Sequence, residues 1–174
     1  MFNTKFKVIN FLLISIGFSA TQISADEIKV AVASNFYPVM KEIVLQYESK
    51  QSQSSAHHKI VLISGSSGKH YAQIMNGAPF DIFFSADKVR PTLLEEKELS
   101  ESGSRFTYAL GRLVLWSSLD GFVEKYERLY NNDLRFLAIA NPKIAPYGLA
   151  AREALISINL WEKVQSKLVR GENI

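Results

Sequence analysis

Residues 27–49 read E-I-K-V-A-V-A-S-N-F-Y-P-V-M-K-E-I-V-L-Q-Y-E-S. Glu27 to Ser34 has the β-branched and small apolar residues of a buried strand. Pro38 suits the first turn of a helix, where its missing N–H leaves no partner unmet. Val39, Met40, Ile43, Val44 and Tyr47 then recur at helical spacing as far as about Ser49. A strand feeding a helix through Ser34-Asn35 is the opening of an α/β unit.

The pattern repeats outward from there. Lys59 to Ser64 (K-I-V-L-I-S) is a nearly continuous apolar strand, expected to be buried on both faces of a parallel sheet. Gly65-Ser66-Ser67-Gly68 turns into a short helix from about Lys69 to Met75, broken at Asn76-Gly77-Ala78-Pro79. Phe80 to Ser85 reads as a third strand, and Asp87 as the cap of a helix over roughly Arg90 to Lys97. Beyond these, Phe106 to Leu110 and Arg112 to Ser117 read as strands and Phe122 to Leu129 as a helix. Leu134 to Ala140 reads as a strand, Leu149 to Ile156 as a helix and Leu160 to Leu168 as a second helical segment. The sequence therefore predicts an α/β fold, and no strand after Leu168 to close the alternation.

The start of the chain is of a different kind. Lys5 and Lys7 precede an apolar run from Val8 to Phe18, and a small-residue stretch ends at Ala25. This is the plan of a secretory signal peptide over residues 1–25, with a cut after Ala20 as the alternative. The run is short for a membrane span of about 20 residues. Without those residues the chain carries 18 basic and 17 acidic side chains. No basic cluster interleaved with aromatics suggests nucleic acid. With no cysteine, disulfides, thiol chemistry and a cysteine-borne lipid anchor are excluded. The expected location is the periplasm or another exported compartment.

Three segments stand where parallel α/β folds bind ligands, beyond the carboxyl ends of strands and at helix N-termini. They are Ser34-Asn35, Ser66-Ser67-Gly68 and Pro146-Tyr147-Gly148. Serine hydroxyls and free backbone N–H groups would make an anion site of neutral donors. The plainer alternatives are a helix cap at Ser34, turn residues at Ser66 and Ser67, and a packing role for Tyr147. Gly65 to His70 lacks the glycine spacing and the hydroxyl residue of a nucleotide phosphate loop. His57 and His58 fall in a polar loop and read as solvated, and no histidine, aspartate and cysteine pattern supports a zinc site. Asp81 and Asp87 read as strand-edge and cap residues rather than paired catalytic carboxylates. No serine has an evident histidine partner. The sequence therefore predicts neither catalysis nor a cofactor nor a bound metal.

Four motifs in order carry a resemblance. They are V-A-V-A-S-N (30–35), S-G-S-S-G (64–68), G-A-P-F-D-I-F-F-S-A-D (77–87) and N-P-K-I-A-P-Y-G-L-A-A-R-E-A-L (141–155). The chain from Glu27 to Ile174 resembles the periplasmic molybdate-binding proteins of ABC transporters. The resemblance implies a two-lobed α/β fold of the type 2 periplasmic binding proteins. The first lobe is expected over 26–107 and the second over 108–174. Ser34 and Ser67 match the family's ligand serines, with Ser66 the alternative in register, and Tyr147 falls where relatives supply a backbone N–H. The implied ligand is molybdate or tungstate, bound through its oxygens. The implied partner is the membrane permease of the importer, and a monomer is expected. The resemblance also implies a longer chain, with two further ligand contacts after Ile174. The expectation is therefore a chain incomplete at its C-terminus, with apolar surface exposed. Carriage of another small anion, a secreted α/β protein that binds nothing, and an exported serine hydrolase are the alternatives.

Overall fold

The computed structural model describes residues 27–51, 58–123, 126–130 and 134–173. The leader read in residues 1–25, and His57, lie outside them. Three parallel strands form the first sheet: β1 (Glu27–Ala33), β2 (Lys59–Gly65) and β3 (Ile82–Phe84), in the order β2-β1-β3. β1 and β2 pair along their whole length, from Glu27 beside Lys59 to Ala33 beside Gly65. β1 is central, and its Val30, Ala31, Val32 and Ala33 are all buried. Asp81 extends the β1–β3 ladder with its carboxylate, which accepts the Lys29 N–H at 2.7 Å while the Asp81 N–H donates to the Lys29 carbonyl at 2.9 Å.

Three helices belong to this unit: α1 (Tyr37–Gln51), α2 (Ser67–Met75) and α3 (Val89–Glu96). α2 ends at Asn76, and Gly77 turns the chain away at φ 82°, a left-handed conformation that glycine adopts without a Cβ clash. The Asp87 carboxylate accepts the Arg90 N–H at 2.9 Å and pairs with the Arg90 guanidinium, so it caps the start of α3 as the sequence suggests.

The second unit has a two-stranded parallel sheet, β4 (Leu137–Ala140) with β5 (Leu168–Gly171). α4 (Pro146–Ser157) and α5 (Trp161–Val164) lie between them in sequence. Leu129, Leu134, Leu155, Leu160 and Val164 form its core.

Four expectations need correction. Residues 105–117 form no strand; Phe106, Leu110, Val114 and Trp116 are 74–87% exposed. A strand needs a neighbour to take its backbone groups, and among the described residues no strand pairs with this stretch. The second helical segment stops at Val164, passes through a short 3₁₀ turn over Gln165–Lys167 and becomes β5, so a strand does close the alternation. Of the helix read over Phe122–Leu129, residues 124 and 125 lie outside the described residues, and Tyr126–Tyr130 forms a 3₁₀ turn. Finally, α1 forms where its periodicity places it, but only Met40 on its apolar stripe is buried, and β2 is half-buried rather than covered on both faces.

Candidate functional site

The strand order β2-β1-β3 sends the chain from β1 to one neighbour and then back across to the other. Loops at the carboxyl ends of such strands diverge and leave a crevice, the usual ligand position in open α/β sheets. Here Ser34 and Asn35 follow β1, Gly65 ends β2 and Ser66 and Ser67 follow it, and Ala86 lies beyond β3. All six line one crevice, closed from the other side by Ala145, Pro146, Tyr147 and Asn173. Three of the sequence-derived segments thus converge, although they are far apart in the chain.

The hydroxyls in the crevice differ in their bonding. Ser34 is pinned by its backbone N–H, which donates to the Gly65 carbonyl at 3.0 Å. Its Oγ is buried and has no hydrogen-bond partner. The Ser67 side chain is fully buried, and its Oγ accepts the Ala86 N–H at 2.9 Å. That bond leaves the Ser67 hydroxyl proton available to an acceptor. Ser66 is the N-cap of α2; its Oγ accepts the Lys69 N–H at a long 3.4 Å. Tyr147 is the second residue of α4, after Pro146 at the start. Its N–H is therefore among those that no turn of its own helix can satisfy. The Tyr147 hydroxyl rests against Gly111, where an added Cβ would meet it at 2.0 Å. The ring therefore packs away from the backbone donor, toward the 106–113 segment.

Among the described residues, no ionised side chain lines the crevice. The helix starts of α2 and α4 supply positive dipole ends instead. This donor set suits an anion. Among the described residues, no three of His, Cys, Asp and Glu gather as a metal site would require. The crevice is narrow, about 10 Å³, room for about one water. A wider groove of about 430 Å³ runs beside it, lined by Phe36, Tyr108, Leu110 and Tyr147 among others. That groove is the larger space, but the donors meet in the crevice.

The histidines stand apart from this chemistry. His70 is buried beneath the β2–α2 turn, with Nε2 3.3 Å from the Val32 carbonyl and Nδ1 3.2 Å from Gln73 Oε1. Burial pushes its pKa below the usual histidine value, against the opposing pull of those two bonds. A neutral ring fits if Nε2–H donates to Val32 and the Gln73 amide turns its nitrogen toward Nδ1. His58 corrects the solvated reading: its Nδ1 is buried without a partner, and its backbone N–H donates to the Gln51 side chain at 3.0 Å. Sequence reasoning missed Ala86 and Asn173, because a backbone donor or a lining contact carries no residue signature. The F-D-I-F-F-S-A-D motif contained Ala86 without indicating its role.

A family model described as bacterial extracellular solute-binding protein matches residues 28–174. The chain belongs to this family. It is 45% identical over 159 residues to the molybdate-binding protein ModA of Azotobacter vinelandii, an alignment covering 91% of this chain and 61% of that protein. With ModA of Rhodobacter capsulatus the identity is 41% over 151 residues, covering 87% of this chain and 58% of the relative. The solved periplasmic molybdate-binding protein of A. vinelandii superposes with a TM-score of 0.78 at 42% identity, covering 84% of this chain and 62% of that one. The substrate-binding domain of a putative molybdenum ABC transporter from Clostridium difficile gives 0.61 at 29%, covering 86% and 63%. The fold of this chain is accordingly the two-lobed α/β fold of those structures. The chain spans about three-fifths of the length of the curated relatives named here.

Proposed function

We propose that this chain binds a small tetrahedral oxyanion, molybdate or tungstate, outside the cytoplasm and delivers it to the membrane permease of an ABC importer, without a catalytic step. The observation that carries the reading is the Ser34 hydroxyl, buried at the end of the central strand with no partner. A buried hydroxyl without a bond is unfavourable by about 1–3 kcal/mol, and an anion oxygen beside it would relieve that. Ser67 would donate its remaining proton, and the Tyr147 N–H would donate from the opposite wall. Ser66, already engaged at the α2 cap, is the weaker candidate. The relatives whose names state molybdate binding are 45% and 41% identical to this chain over 91% and 87% of its length.

Neutral donors suit discrimination by size. No lysine or arginine stands in the crevice to attract every anion alike, so cavity dimensions would separate molybdate and tungstate from the smaller sulfate. The crevice is narrow, about 10 Å³, so loading would involve movement of one lobe against the other. We place the first lobe at 26–107 and the second at 108–174, with the leader in 1–25 directing a monomer to the periplasm. The hydrolase alternative finds no support in the His70 ring, whose nitrogens face Val32 and Gln73 rather than a serine.

Isothermal titration of the exported chain with molybdate, tungstate, sulfate and phosphate tests the proposal. The expected result is binding of the first two and little of the others. Ser34→Ala should weaken molybdate binding by about 1–3 kcal/mol, roughly five- to 150-fold in Kd. Equal affinity of Ser34→Ala and the parent would remove Ser34 from the site. Equal affinity for sulfate would overturn the assigned ligand.

A further inference from the structure

Beside the crevice, the two units meet main chain to main chain. Gly68, the second residue of α2, donates its N–H at 2.9 Å to the carbonyl of Ile144, in the turn after β4. A Cβ built on Gly68 would lie 2.5 Å from that oxygen and 2.9 Å from Ile144 Cα. Both are backbone atoms, so no side-chain rotation relieves the overlap. The third neighbour, Arg90 Nη2 at 3.0 Å, is on a side chain that can move.

Conformation does not require a glycine here. Among the described residues, the glycines with positive φ are Gly77, Gly103 and Gly121, and Gly68 is not one of them. Inside a helix, alanine is the better residue. What leaves no room for a side chain is the neighbouring unit. A second link between the units, Lys69 Nζ to Glu172 at 3.3 Å, joins two exposed side chains and is of a kind that contributes little.

We infer that Gly68 is the residue that sets closure: having no side chain, it lets the Ile144 turn of the second lobe seat on the start of α2 and fixes how far the Ser34–Ser67 crevice shuts. Gly68 is a positioning residue and not a ligand. Its N–H is engaged by Ile144 in the closed arrangement, which leaves the donors of Ser67 facing the crevice. The closure claim rests on the contact alone; its effect on affinity rests also on the oxyanion reading above.

The chain has no cysteine, so spin labels can be placed at Glu96→Cys on the first unit and Glu153→Cys on the second, both exposed positions. Without any ligand, Gly68→Ala should move the inter-label distance outward and broaden it, and Gly68→Val should move it further. If Gly68→Ala reduces the closed population to about a tenth, the apparent Kd for molybdate rises about tenfold. Distance distributions identical to the parent in both variants would overturn the inference. Wider distances together with no molybdate binding by the parent would support closure at Gly68 and sink the oxyanion reading instead. If circular dichroism shows that the variants do not fold, hydrogen exchange at the Gly68 amide of the parent decides. Protection that increases with molybdate supports the contact with Ile144, and exchange at the rate of an exposed amide overturns it.

Discussion

Ser34 and Ser67 follow neighbouring strands and line one crevice, but their hydroxyls are bonded differently. Ser34→Ala removes no bond, because its Oγ has no partner. It should leave the stability of the unliganded chain unchanged or slightly higher. Ser67→Ala strands the Ala86 N–H and should destabilise by about 1–2 kcal/mol. Urea denaturation of both variants checks this; equal losses would mean that Ser34 has a partner after all. His70 gives a pH dependence. Burial holds its folded pKa below the ordinary value of 6.5, so the unfolded chain binds the extra proton first. Its contribution is complete above about pH 6.5 and declines as pH falls toward the lowered folded value. Thermal unfolding from pH 7.5 down to 5 should show a falling Tm, with a shallower fall in His70→Gln. An unchanged slope would show that another group is responsible. The serines were legible as hydroxyls at helix starts. Their bonding states were not, because the partner of Ser67 is a backbone group 19 residues away.

At the level of elements, periodicity located most helices and strands, because amphipathic spacing is local. It failed where an element depends on a distant neighbour. The alternation at 106–117 resembles a strand, but pairing needs another strand beside it. Leu168–Gly171 continues a helical run in sequence, yet the exposed edge of β4 draws it into a ladder. α4 shows the same dependence at one glycine. A Cβ on Gly148 would lie 2.2 Å from the Ala140 carbonyl oxygen and 2.6 Å from its carbon. Gly148→Ala should therefore push the helix off the end of β4. The expected loss is about 1–3 kcal/mol, in line with other overpacked sites, although alanine favours an isolated helix. Denaturant titration measures it, and a stabilised variant would show that α4 shifts freely.

For the molecule as a whole, Phe106, Leu110, Val114 and Trp116 form an exposed apolar stretch. Apolar surface of this kind binds hydrophobic dyes and promotes association. The chain should enhance the fluorescence of anilinonaphthalene sulfonate at neutral pH, and Leu110→Lys with Val114→Lys should reduce the signal. Fluorescence equal in the double variant would place the dye elsewhere. The α/β class was legible from the alternation of strands and helices, whereas the two-lobed fold came from the resemblance that the motifs carry. The uncovered surface was an expectation of the resemblance and not of the periodicity. Both sheets are also contiguous in sequence: β1, β2 and β3 lie within 27–84, and β4 with β5 within 137–171. Among the described residues, neither sheet takes a strand from the other. Emerging from a narrow channel N-terminus first, the chain can therefore assemble its first sheet while the second is still in transit. Contacts between the units, among them that of Gly68 with Ile144, must form last, which makes the approach of the two units the late step of folding.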